Sequence, residues 1–120
     1  MKKIFITCSF LCAFSVHAGP YADIAKAKFE SDMIQAIESA DISDADKSVW
    51  TSNLPKLEKT LRGNVRDQLK SKKSCLKIKR DFVKEQKAVM ATEDWPDEDF
   101  TESFLSAAGD YIATTCLDMK

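Results

Sequence analysis

Between Tyr21 and Cys116 apolar side chains return every three or four residues with few interruptions, and no run of alternating β-branched residues lies between turn pairs. A chain patterned this way is built from helices that each bury one stripe against their neighbours, so the expected class is all-α. At about 100° per residue, Ala22, Ala25, Phe29, Met33, Ala36, Ile37 and Ala40 share one arc, which predicts a first helix from Tyr21 to Ala40. Ser43 followed by Asp46 resembles a capping box with Asp in place of Glu, and starts a short segment carrying Val49 and Trp50. Pro55 has no N–H and is expected to kink or restart the chain there. The second helix proper is therefore placed from Pro55 to Lys70, burying Leu57, Leu61, Val65 and Leu69, with Leu54 just ahead on the same face and Gly63 on the polar side. The apolar phase slips between Ser71 and Ser74, and a third helix is expected from Cys75 with a face of Cys75, Ile78, Phe82, Val89 and Met90. After a turn from Thr92 to Pro96, Asp97-Glu98-Asp99 places negative charge at the N-terminal end of a fourth helix. Its apolar side is Phe100, Phe104, Ala108, Tyr111, Ile112 and Cys116.

The amino terminus belongs to a different class of segment. Met1-Lys2-Lys3 is a positive n-region, Ile4 to Phe14 an apolar stretch too short to span a membrane, and Val16-His17-Ala18 a small-residue cleavage site before Gly19. This order resembles a bacterial secretion signal. Residues 1–18 are read as a cleavable signal peptide and residues 19–120 as a single helical domain, with a periplasmic or secreted destination. Ser9-Phe10-Leu11 lacks the small residue expected just before a lipidated Cys12, so release rather than anchoring is expected.

Cleavage would remove Cys8 and Cys12, leaving Cys75 and Cys116 in an oxidising compartment, where they are expected to pair. A loop of about 42 residues closed by that bridge corresponds to about 4 kcal/mol in the chain-entropy treatment. Spacing supports the pairing. Cys75 to Ala91 is 16 steps and Asp97 to Cys116 is 19, so the two arms of an antiparallel hairpin differ by only about 4.5 Å, a mismatch the turn can absorb. The expected fold is thus a small four-helix, mostly up-down bundle with one disulfide.

Residue inventory narrows the chemistry. The one histidine, His17, lies in the segment to be removed, which excludes His-dependent nucleophilic sites and imidazole zinc sites from the remainder. With both cysteines in a bridge, no thiolate metal site remains. No cofactor or metal is expected, and the chain is read as non-enzymatic. Ser74 and Lys77 have the S-x-x-K spacing of a serine–lysine dyad, without the further elements that accompany such dyads; a serine cap followed by a solvated lysine is the plainer reading. Glu98 with Glu102, or Asp99 with Glu102, share a helix face and would suit a small carboxylate-dependent hydrolase of an envelope polymer only if one were desolvated. Read as an EF-hand from Asp94, the third position is Pro96 and the sixth is Asp99, so the calcium pattern fails.

Charge is divided along the chain. Residues 56–87 hold twelve Lys and Arg against four acids, a net of +8, whereas residues 19–55 carry −4 and residues 88–120 carry −7. Lys56, Lys59, Arg62, Arg66, Lys70 and Lys73 recur every three or four residues and would form a basic stripe beside the leucine face of a continuous helix. Such a stripe has no interleaved aromatics on which bases could stack, so nucleic acid is not the expected partner. Anionic lipid would need the leucines that the core uses. The remaining expectation is a protein with an acidic surface, bound as an inhibitor, immunity factor, chaperone or adaptor would bind it.

Overall fold

The computed structural model describes residues 19–120; the expected signal peptide, with Cys8, Cys12 and His17, lies outside the described residues. Four helices make up the described chain: α1 (Pro20–Ser39), α2 (Asp44–Lys70), α3 (Cys75–Met90) and α4 (Glu98–Met119), with no strand among the described residues. Ten of the 22 residues of α4 are buried, against four in α1, four in α2 and two in α3, so α4 is the core on which the others pack. Its buried positions include small residues, Ala107, Ala108 and Gly109, that let neighbours approach closely. A Cβ on Gly109 would stand 3.2 Å from Lys79 Cε and 3.4 Å from Val83 Cγ2 of α3.

Contacts between helix ends give the directions. The Ala22 N–H at the start of α1 donates to Asp118 at the end of α4 (2.6 Å), and the Asp41 N–H just beyond α1 donates to Asp97 ahead of α4 (3.2 Å), so α1 and α4 are antiparallel. Along α2, Trp50 meets Phe100 at 4.9 Å between ring centroids and Glu58 meets Tyr111, so α2 runs with α4. Cys75 opens α3 and bonds to Cys116 near the end of α4, with Cα atoms 5.7 Å apart, which makes α3 antiparallel to α4. The alternation is up-down-up-down, and the disulfide is the pairing that the cysteine spacing predicts.

Local chemistry accounts for the boundaries. Ser43 accepts from the Asp46 N–H, Ser74 from the Lys77 N–H and Asp97 from the Phe100 N–H, each satisfying a donor that a helix start leaves without an intrahelical partner. Gly19, at the corresponding position of α1, has no side chain to offer, and Asp118 supplies the acceptor from the far end of the chain. Two expectations need correction. Pro55 does not divide α2, which is helical from Asp44 to Lys70. Trp50, Leu54, Leu57 and Leu61 stay in phase across the proline, and burying them together outweighs the roughly 3 kcal/mol an interior proline costs. Val89 is 44% exposed rather than on the buried face of α3. The inward arc of that helix runs through Phe82, Gln86 and Met90, which leaves Val89 at its edge.

Trp50, Trp95, Phe100 and Phe104 close the other end of the bundle, with Trp95 5.4 Å from Trp50 and 5.2 Å from Phe104 between ring centroids. Trp95-Pro96 therefore caps the α3–α4 turn against the core.

Candidate functional site

The six residues of the expected basic stripe separate into three environments. Lys56, Lys59 and Arg66 are exposed on α2 and form no ion pair among the described residues. Lys70 is also exposed and stands 3.8 Å from the equally exposed Asp67, a separation at which a solvated pair contributes little. Lys73 lies beyond the end of α2, where its ammonium reaches Asp81 of α3 at 3.1 Å. That hydrogen bond, with a second from Lys77, holds the Asp81 carboxyl below its ordinary range. Arg62 turns inward. It sits at the border of the apolar arc and closes a forked pair on Glu58, with Nη2 2.8 and 3.1 Å from the two carboxylate oxygens and Nε 3.3 Å from one of them.

Glu58 is 4% exposed, and its carboxylate also accepts the Tyr111 hydroxyl across from α4. Tyr111 is itself 2% exposed. Burial first, and the Glu58 hydrogen bond second, push the phenol up to about 12, so at neutral pH the proton stays on tyrosine and is donated to the carboxylate. The same pairing raises the Arg62 guanidinium above its ordinary value. One turn on, the Thr115 side chain is buried, close enough to the phenol to act weakly and downward on its ionisation. Its hydroxyl nevertheless completes no hydrogen bond. Glu58, Arg62, Tyr111 and Thr115 line a cavity of about 330 Å³ where the start of α1, the middle of α2 and the end of α4 converge. Asp23 and Lys26 of α1, Arg66 of α2 and Asp118 of α4 complete its charged wall.

Other sequence candidates are dispersed. The Ser74 hydroxyl is the helix cap already described, and the Lys77 ammonium pairs with Asp81 at 3.3 Å, so the S-x-x-K residues do not face each other as a dyad. Glu98, Asp99 and Glu102 are all exposed. Asp99 and Glu102 share an open groove of about 490 Å³ with Asp32 and Asp97, between α1 and α4. Asp97 is held below the usual carboxylate range by backbone donors, first Phe100 and then Asp41. Among the described residues no three His, Cys, Asp or Glu side chains are grouped to hold a metal ion, and no helix is long and apolar enough to cross a membrane.

These features define a class: a disulfide-stapled, all-α four-helix bundle with a cationic outer helix face and a polar cavity between three helices. No known protein family, curated protein or solved structure matches the chain.

Sequence reasoning missed Glu58 and Thr115 as polar groups of the interior, and took Tyr111 for a purely apolar core residue. A signal existed for Glu58. It falls about 40° from Leu54 round the helix, between Val65 and Leu69 on the leucine arc, so it is an acid written into an apolar face, and Arg62 one turn later is its nearest cation on the same helix. Nothing in the sequence pairs either with Tyr111, 53 positions away.

Proposed function

We propose that the protein is an exported, non-enzymatic helical module that binds an acidic surface of another envelope or secreted protein through the outer face of α2. The observation that carries this reading is that Lys56, Lys59 and Arg66 stand exposed and unpaired among the described residues, with Lys70 only loosely paired. Cations held on a rigid helix and left uncompensated steer an acidic partner and fix its register. Leu54 and Leu61, which shallow insertion into lipid would require, are buried in the core, which favours a protein partner over a membrane surface. Export is supported by the leader-like residues 1–18 and by the Cys75–Cys116 bridge, since such bonds persist in oxidising compartments.

The test is cross-linking in the producing cells, comparing the native chain with a Lys56→Glu, Lys59→Glu, Lys70→Glu variant. Arg62 is left unaltered because reversing it would strand the buried Glu58 charge. The native chain is expected to give a discrete protein adduct that weakens with added salt and is lost in the triple variant. An adduct of equal yield in both overturns the reading, as does equal retention of both chains on anionic vesicles in place of any adduct. Intact mass decides the export step independently: the recovered protein is expected to begin at Gly19.

A further inference from the structure

We propose that the cavity between the start of α2 and the α3–α4 turn is a binding site for an organic ammonium cation, held against the indoles of Trp50 and Trp95 and countered by Asp46 and Asp94. These four side chains line a cavity of about 330 Å³. The rest of its wall, Ile42, Val49 and Pro96, is apolar, so the lining carries two acids and no cation. Both acids are exposed, and neither forms an ion pair among the described residues. Asp46 also suits the start of α2, but Asp94 lies in the turn, outside any helix, where no dipole accounts for it.

The aromatic pair is the first support. Trp50 and Trp95 stand 5.4 Å apart between ring centroids and are inclined at 47°. Each uses part of its surface against the core, Trp50 on Phe100 and Trp95 on Phe104, and each remains half-buried, so indole surface is left open in the cavity. The Trp95 indole N–H donates to Glu93 at 3.0 Å, which holds that ring in place. Aromatic faces attract a cation within about 6 Å of the ring centroid, and tryptophan does so most strongly. Charge is the second, independent support. Residues 91–99 hold five acids and no Lys or Arg. Residues 41–50 hold three acids and a single cation, Lys47, whose ammonium is turned to the Glu38 carbonyl at 2.9 Å and does not line the cavity.

This field repels an anion, and a purely apolar ligand would strip water from two carboxylates without compensation. Two carboxylates also fall short of the oxygen shell of about six to eight that calcium takes. An alkylammonium group satisfies both halves of the lining, because its carbons pack on the indoles while its charge faces the acids. A quaternary ammonium ligand and the lysine side chain of a peptide share that chemistry.

Trp50 and Trp95 are the two tryptophans of the chain, so intrinsic fluorescence reads the cavity directly. The purified protein is titrated at constant ionic strength with choline, N-acetyl-lysine methylamide, the uncharged tert-butyl analogue of choline, and calcium. Choline or the lysine amide is expected to change the fluorescence with a millimolar Kd, about tenfold tighter than the uncharged analogue. Tighter choline binding assigns a quaternary ammonium ligand, and tighter binding of the amide assigns a peptide lysine. Trp95→Phe keeps an aromatic ring on the core and is expected to weaken the cations about two- to fivefold, read from Trp50, without affecting the uncharged analogue. An Asp46→Asn, Asp94→Asn variant, altered only at exposed positions, is expected to weaken the cations by about tenfold. Lys56→Glu with Lys59→Glu, outside the cavity, is expected to leave binding intact, which keeps this result separate from that of the α2 docking face. No fluorescence change with either cation, equal affinity for the uncharged analogue, a tighter response to calcium, or cation binding indifferent to the double asparagine variant overturns the assignment.

Discussion

At the scale of single residues, the Glu58–Tyr111 contact fixes where a proton resides. Tyr111 ionises at about 12 in the fold, above its ordinary 10, because the buried phenolate would be desolvated and would face the Glu58 carboxylate. An acid whose folded value is raised keeps its proton longer in the native state. The associated stability is complete below pH 10 and is lost as pH rises from 10 to about 12. The loss is expected to be about 2 kcal/mol, measured by denaturant unfolding across that window, and to vanish in Tyr111→Phe. An equal decline in the phenylalanine variant would place its origin elsewhere. Only part of this site was legible in the sequence. The apolar arc of α2 marks Glu58 as out of place, but a charge within an apolar stripe does not name its partner, and Arg62 reads equally well as one more member of a solvated basic row. What the sequence does not carry is the approach of α4, which brings Tyr111 onto Glu58 and so buries the carboxylate end of that pair.

At the scale of elements, backbone conformation exposes two positions where the chain is short of its optimum. Lys72 follows the end of α2 with φ of 62°, the left-handed region that favours glycine, while its N–H closes on the Leu69 carbonyl at 2.9 Å. A residue with a Cβ is strained there by about 1–2 kcal/mol, and glycine would forfeit about 0.5–1 in unfolded-state freedom, so Lys72→Gly is expected to stabilise by about 0.5–1 kcal/mol. Within α2, Gly63 has open space where a Cβ would stand. Gly63→Ala is expected to stabilise by about 0.8–1 kcal/mol, and each kcal/mol corresponds to about 4–8 °C in melting temperature for a domain of this size. A lower melting temperature for either variant would refute the assigned local geometry. The boundaries around these positions were readable in advance because caps are local: Ser43, Ser74 and Asp97 each act on an N–H only three residues away. Pro55 misled for the complementary reason. A proline announces its missing hydrogen bond in the sequence, but the burial of Trp50, Leu54, Leu57 and Leu61 that overrides it is decided by the face α2 shares with the core.

Across the whole molecule, the bridge does what the thin packing of α3 cannot. That helix buries only Ile78 and Met90 fully and is held along its length by half-buried Phe82, Val83 and its ion pairs, which at this exposure contribute little. Cys75 at its first position and Cys116 near the last turn of α4, a sequence separation of 41, fasten the start of the helix with the fewest fully buried residues to the end of the core helix. In the chain-entropy treatment a closure of this length destabilises the unfolded ensemble by about 4 kcal/mol, a large share of the 5–15 kcal/mol typical of a whole domain. A Cys75→Ser, Cys116→Ser variant is therefore expected to lose about 3–4 kcal/mol. The loss should be uneven. Hydrogen exchange in α3 should quicken most, because its few buried contacts leave it the lowest barrier to opening, while α1 and α4, joined along their length from Ala22–Asp118 to Asp41–Asp97, should remain protected until global unfolding. Uniform acceleration in all four helices would show that α3 is bound to the core by more than the bridge.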